Sequence, residues 1–265
     1  MKVTAYPVKG KAKSEDICEA FAVGCGGAVA RGSPELLPGA AFFYGVDDSN
    51  LHLWRQAKAE GVSRTFLYCD NSYFDSTRQT YFRITRGRLQ HTGYGTSDGE
   101  RFRALGIEIA PWRVAGDHVV ICPQSEHFMR AIVGFKGDWL RETVAALSEI
   151  TERPLRIRHW NRDKTKAAAG LGADLEGAYA LVTWSSAAAV TALLAGVPVI
   201  VGGDCAAAPV AGRTVFKLEK LPRKPREEWC GVLADNQWTI AEMADGTAWR
   251  ALGTVAQQWF FEEHG

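Results

Sequence analysis

The stretch Ala180–Gly203, ALVTWSSAAAVTALLAGVPVIVGG, restricts the fold more than any other part of the chain. It holds a short apolar run, then a pair of serines leading an alanine-rich segment, then GVPVIVGG. From Ala187 to Val201 the run is apolar but for Thr191 and spans 15 residues, whereas a bilayer-spanning helix needs about 20. Gly196 and Pro198 also cut it, since they mark a helix end and a new start. A membrane helix is excluded. The pattern predicts strand, helix, strand over AYALVTW, SSAAAVTALLAG and VPVIVGG, the alternation of a parallel α/β sheet.

The same rhythm runs through the rest of the second half. HVVICPQ (His118–Gln124) and PLRIRHW read as strands. In GDWLRETVAALSEIT (Gly137–Thr151), Leu140, Val144, Leu147 and Ile150 share one helical stripe. EEWCGVLADNQWTIAEMADGTAWRAL reads as a terminal helix pattern. In the first half, KVTAYPV, GAAFFYGV and TFLYCDN are strand-like. Between them lie SEDICEAFAVGCGG, a helix with Ser14 as cap and Gly26–Gly27 as stop, and NLHLWRQAKAEG, capped at Asp48 or Ser49. The segment from Tyr73 to Ile107 breaks the rhythm and reads as an insertion or loop layer.

The expected architecture is therefore α/β: two Rossmann-like, doubly wound parallel-sheet domains facing across a cleft. Their bounds fall at residues 1–116 and 117–265, near Gly116, with the Arg/aromatic-rich insertion near 72–104. A single sheet of the same elements is the alternative. A length of 265 residues accommodates either.

Charge narrows the partners. Lys plus Arg total 31 against 30 Asp plus Glu, so no field over the whole molecule draws nucleic acid or membrane. The six cysteines are scattered without a CxxC, which argues for reduced buried thiols over a zinc site or a disulfide framework. MKVTAYPVKGKAKSED lacks the apolar core of a secretory signal, so a cytoplasmic location is expected.

Ser185 and Ser186 sit where a strand turns into a helix. There the first backbone N–H groups lack intrahelical partners, so the hydroxyls serve either as caps or beside a bound anion. From the residues alone these two readings are level. In a doubly wound sheet the carboxyl ends of the strands share one crevice. Arg158 and His159, past the RIRHW strand, and Gln124 and Ser125, past HVVICPQ, are thus candidates for the same site. Arg158 suits phosphate through charge-assisted hydrogen bonds, and His159 suits donating to or protonating a leaving phosphate; a solvated loop histidine is the plain alternative. VGGDCAAA does not fit GxGxxG, and GxxxxGK[ST] is absent, which disfavours nicotinamide and Walker-type nucleotide binding.

Ala180–Gly203 resembles the signature of the carboxyl-terminal domain in glycosyltransferases with two Rossmann-like domains, in the flavour of the capsular-polysaccharide and sialyl-type branches. The resemblance implies a nucleotide-sugar cosubstrate, no tightly bound cofactor, an acceptor domain first and a donor-phosphate domain second. It places Ser185, Ser186, Arg158 and His159 on the donor phosphate and Glu219 near a donor ribose. The family commonly has His-Pro where this chain has His159-Trp160, and a helix Glu where Ala189 and Thr191 stand. Through YGVDDSN, YCDNSYF and ADNQWT the whole chain also resembles uncharacterised proteins of tailed bacteriophages. That likeness implies the host-cell cytoplasm and raises a modified phage DNA base as acceptor.

An inverting sugar transfer needs a general base at the acceptor hydroxyl. Asp70 and Asp47 rank ahead of Asp48 and Asp98, although Asp47–Asp48 also suits a helix cap and Asp70–Asn71 a turn. No supported DxD-like pair is present, so no metal is expected. Across 73–103, Tyr73, Phe74, Tyr81, Phe82, His91 and Tyr94 interleave with Arg78, Arg83, Arg86 and Arg88. This is either a DNA-facing surface with stacking rings or, as favoured, a layer of buried rings. The alternatives to a glycosyltransferase are an inactive nucleotide- or nucleic-acid-binding protein of the same fold and another group transferase acting on phage DNA bases.

Overall fold

A computed structural model describes residues 2–60, 66–74, 80–159 and 170–253. The chain divides into two compact units, Met1–His91 with Asn236–Gly265, and Thr92–Asp235. The first unit begins with β1 (Val3–Ala5), α1 (Ala12–Cys25), β2 (Ala28–Val29), β3 (Ala40–Tyr44), α2 (Leu51–Glu60), β4 (Phe66–Asn71) and β5 (Phe82–Arg86). The second carries α3 (Glu100–Ala104), β6 (His118–Cys122), α4 (Trp139–Ile150), β7 (Leu155–Ile157), α5 (Leu171–Leu175), β8 (Ala178–Thr183), α6 (Ala188–Leu194), β9 (Val199–Val201) and α7 (Glu227–Asp235). The chain then re-enters the first unit with β10 (Gln237–Trp238), α8 (Ile240–Ala244) and a helical segment over 247–253.

The second sheet runs β7-β6-β8-β9 and is parallel throughout. The first runs β10-β5-β4-β3-β1-β2; its β2, β1, β3 and β4 are parallel, whereas β5 pairs antiparallel with β4, and β10 with β5. Both sheets share one winding. The chain steps from its first strand to one neighbour, then crosses back to the other side, so winding reverses between β1 and β3 and between β6 and β8. Ligands of open α/β sheets bind beyond the carboxyl ends of the strands at such a reversal.

Apolar burial holds each sheet. In the first unit Phe21 of α1 stacks on Phe42 of β3 at 4.1 Å. Leu67, Ile84, Trp238 and Met243 belong to the same core. On α2, Trp54 packs edge-on against Phe43 and Phe66. In the second unit Val119, Ile121, Val182 and Ile200 meet Leu147 of α4, on the stripe read from the sequence.

Four expectations are corrected. The supposed insertion supplies β5, a full strand of the first sheet. The terminal helix pattern breaks into α7, β10 and α8, because Gln237 and Trp238 pair with Arg83 and Phe82 of β5. The division therefore falls after His91 and again after Asp235, and Gly116 lies inside the second unit. A pairing between strands some 150 residues apart leaves no local periodicity, so a single boundary was the natural reading. Lastly, α1 starts at Ala12, and Ser14 is no cap. Its hydroxyl accepts from Val8 N–H at 2.9 Å and donates to Tyr44 O at 3.0 Å, tying the β1 loop to the end of β3.

Candidate functional site

The carboxyl ends of β6 and β8 are joined by side chains. Thr183 Oγ1 donates to Cys122 O at 2.6 Å, and one turn further on Gln124 Nε2 donates to Ser185 Oγ at 3.2 Å. Ser185 is 5% exposed, and Ser186 beside it is half-buried. Ser186 N–H donates to Thr183 Oγ1 at 3.3 Å, and its own Oγ accepts from Ala188 N–H at 3.2 Å. Ser186, one residue before the N-cap Ala187, thus satisfies the first N–H of α6 while its O–H keeps a proton to donate. Ser125 is exposed and accepts from Phe128 N–H at 3.1 Å, opening a π-helical turn over Phe128–Val133. Both loops of the winding reversal are therefore built around serine hydroxyls, and the structure brings Gln124, Ser125, Ser185 and Ser186 to the same sheet end.

The remaining donor-side candidates divide. Arg158 follows β7, with its N–H on Ile121 O at 2.8 Å and its guanidinium paired with the Asp174 carboxylate of α5. His159 is exposed. Glu219 does not join the serines. It sits in the 3-10 turn Val215–Lys220, where Arg153 binds its carboxylate and Tyr179 OH donates to it at 3.0 Å. Arg153 also lies 3.8 Å over the Tyr179 ring and donates to Gly116 O at 3.2 Å. Tyr179 is the second residue of β8 and Thr183 its last, so Glu219 stands toward the amino end, about 13 Å of strand from Thr183 and further still from the serines. The Arg153 hydrogen bond holds the Glu219 carboxyl below its usual range.

In the first unit the corresponding strand ends hold a mixed polar cluster. Arg83 Nη2 meets Asp70 Oδ2 at 2.6 Å, and Asp70 Oδ1 accepts from Asn71 N–H at 2.8 Å. Asn71 Oδ1 accepts from Lys13 Nζ at 3.0 Å and from Tyr44 OH at 3.3 Å. The Lys13 amine lies 5.4 Å from the Tyr44 ring centre and 4.8 Å from that of Phe82. Burial lowers the Lys13 pKa, against the opposing pull of the Asp70 charge. Burial raises that of the Tyr44 hydroxyl. Lys13 was missed in the sequence. The available signal was VKGKAKSED, whose lysines crowd the start of a helix where the macrodipole disfavours cations.

The other acid candidates serve the backbone. Asp47 Oδ1 accepts from Ser49 N–H at 2.9 Å and from its hydroxyl at 2.6 Å, and Asp47 O accepts from Leu51 N–H at the start of α2. Asp48 is exposed. Asp98 Oδ1 accepts from Glu100 N–H at 2.9 Å at the start of α3. The Asp47 and Asp98 contacts are local turns in which an Asp side chain bonds the backbone two residues on, just ahead of a helix.

The Arg/aromatic segment is mostly interior. Tyr73, Phe74 and Phe82 are 3%, 2% and 1% exposed, so these rings do not stack on bases. Arg83 is buried in its pair with Asp70, and Tyr81 and Arg88 are half-buried. His91 N–H donates to Tyr73 OH at 2.7 Å, and burial, aided by the Arg88 charge, pushes the imidazole down to about 4. Tyr94 and Arg86 face solvent, and Arg78 lies outside the described residues. Among the described residues no cluster of His, Cys, Asp and Glu is arranged to hold a metal, and no helix is long and apolar enough to cross a membrane.

No family model matches the chain, and no curated protein matches it by sequence. Solved structures do match. A β-Kdo 2,4 transferase of Thermosulfurimonas dismutans KpsC shares 14% identity at a TM-score of 0.50, covering 87% of this chain and 89% of that one. A β-Kdo 2,7 transferase of the same organism's KpsC shares 12% identity at a TM-score of 0.55, covering 94% and 99%. At such identities the likeness is one of fold. The chain is an α/β protein of two Rossmann-like units, one sheet parallel throughout and the other parallel with two antiparallel pairings at one edge, GT-B-like in fold.

Proposed function

We propose that the chain is a glycosyltransferase-like enzyme that takes a sugar from a nucleotide-sugar donor. The observation that supports this reading is the Gln124–Ser185 hydrogen bond at 3.2 Å, which ties the loop after β6 to the loop after β8 at the winding reversal of the second sheet. The fold shared with two Kdo transferases supports it. The donor phosphate would take hydrogen bonds from the Ser186 hydroxyl and from groups around Ser185 and Gln124. In the transfer, an acceptor hydroxyl attacks the anomeric carbon, the bond to phosphate breaks, and the nucleotide leaves with the electron pair. The acceptor proton passes to a carboxylate; Asp70 is the candidate put forward for it, its carboxylate held by Arg83 and by Asn71 N–H.

Arg158 is not counted on the phosphate, because Asp174 already neutralises it. That pairing favours a second reading, a nucleotide-binding protein of this fold without turnover. The experiment is a calorimetric panel of UDP, GDP, CMP and their sugars against the wild type and a Ser185→Ala/Ser186→Ala double variant. Binding weakened about tenfold in the variant is expected, the scale of lost charge-assisted hydrogen bonds. Binding unchanged in the variant moves the site elsewhere. Binding without product, followed by mass spectrometry, selects the second reading. Hydroxymethylated DNA incubated with donor tests a phage DNA base as acceptor by the same readout.

A further inference from the structure

Trp184 lies between β8 and Ser185, and its surroundings are built for its indole. Gly202 N–H donates to Thr183 O at 3.0 Å and Gly203 N–H to Trp184 O at 2.9 Å, so the β8–β9 ladder continues past both strands. Neither glycine has a positive φ, so backbone conformation does not demand glycine at either position. Space does. A Cβ on Gly203 would fall 2.3 Å from Trp184 Nε1 and 2.5 Å from Cε2, and one on Gly202 would fall 2.9 Å from Cε3. The two positions span both rings of the indole, which therefore rests along the Gly202–Gly203 backbone.

Two more rings frame it. Phe135 stands 5.1 Å from Trp184 at 59°, and Trp139 stands 6.4 Å away, edge-on at 81°. All three rings are partly exposed. By contrast Phe42 and Phe43, at 0% exposure, and Trp54, at 1%, are wholly buried in the first unit. An aromatic cluster left partly in water beside a polar strand-end site is the lining expected of a ligand pocket, with apolar walls and a few placed hydrogen-bonding groups.

We propose that Trp184 is a ligand-binding wall of this site, stacking against the flat heteroaromatic ring of the ligand, the base of a nucleotide. This rests on the donor-site reading above and extends it from the phosphate to the base. Trp139 meets the indole edge-on and Phe135 at a tilt, and the glycine pair supports it, so its orientation is set before the ligand arrives. Base–aromatic stacking tolerates any base, so the wall supplies affinity for a nucleotide as a class.

The test is calorimetry with nucleoside monophosphates, with the matching nucleosides and with inorganic phosphate. For Trp184→Leu, nucleoside and nucleotide binding should weaken about tenfold, while phosphate binding stays at the wild-type value. Trp184→Phe should recover most of the loss. Gly203→Ala, which displaces the indole without removing it, should reproduce the Leu variant. An equal loss for phosphate and nucleotide, or none for either, overturns the proposal. Nucleoside binding reads the indole without the serines, and phosphate binding to Ser185→Ala/Ser186→Ala reads the serines without the indole, so each reading can fail separately.

Discussion

Arg83 Nη2 meets Asp70 Oδ2 at 2.6 Å between residues directly opposed on the antiparallel pair β4–β5. The two ends of this ion pair differ in burial: the Arg83 side chain is 7% exposed and that of Asp70 is 35%. Arg83 also donates to Asn71 O, lies 5.0 Å over the Tyr73 ring, and finds no hydrogen-bond partner for its Nε–H among the described residues.

That asymmetry predicts unequal costs. Asp70→Ala strands a buried guanidinium and should destabilise by about 3 kcal/mol, whereas the Asp70 carboxylate left by Arg83→Met reaches water and should cost about 1 kcal/mol. The double variant should be more stable than Asp70→Ala alone. Urea unfolding of the four proteins gives the cycle. A costlier Arg83→Met would show that Arg83 holds the fold mainly through its other contacts. The same cycle separates lost folding from lost activity when Asp70 is tested as a base.

His91 makes stability pH-dependent. Burial, with the Arg88 charge, puts its folded pKa at about 4, against about 6.5 unfolded. Between these values the unfolded chain binds the extra proton, so stability rises with pH. The contribution is complete above about 6.5 and lost as pH falls toward about 4. The imidazole is only partly buried, so the loss should be about 2 kcal/mol. Urea midpoints from pH 7 to pH 4 should show this slope, and His91→Gln should flatten it. An unchanged slope in that variant would assign the pH dependence to other groups.

Glu219 gives the opposite kind of prediction. Its carboxylate is 55% exposed in the pair with Arg153, and such surface pairs contribute little. Glu219→Ala should shift stability by no more than about 0.5 kcal/mol and leave nucleotide affinity as in the wild type. A clear loss of affinity would return Glu219 to the donor site, against its place at the amino end of β8.

What could be read in the sequence follows from the range of each interaction. β6, β8, α6 and β9 were legible because apolar runs punctuated by Ser185–Ser186 and Gly196–Pro198 encode them locally. The serine turn and its Gln124 neighbour were legible for the same reason, helped by the rule that strand ends converge. β5 was hidden, since its aromatic and arginine residues resemble a loop until Arg83 is seen opposite Asp70. β10 was hidden too, because Gln237–Trp238 becomes a strand only through its pairing with Phe82 and Arg83. Side-chain pairing also moved Arg158 to Asp174 and Glu219 to Arg153; no spacing rule anticipates either.

Gly196 joins the legible punctuation to a measurable cost. It follows α6 with φ +76, and a Cβ there would lie 2.0 Å from Pro111 O. Its N–H reaches Leu193 O at 3.1 Å, and its carbonyl accepts from Arg113 N–H at 2.8 Å, so the turn cannot easily shift. Gly196→Ala combines left-handed backbone strain with a clash against main chain and should cost about 3 kcal/mol. Gly10, at φ +70 with open space around it, is the control; Gly10→Ala carries only the backbone strain, about 1 kcal/mol. Thermal unfolding of the two variants compares them directly. Equal losses would mean that the Pro111 segment yields to the added methyl.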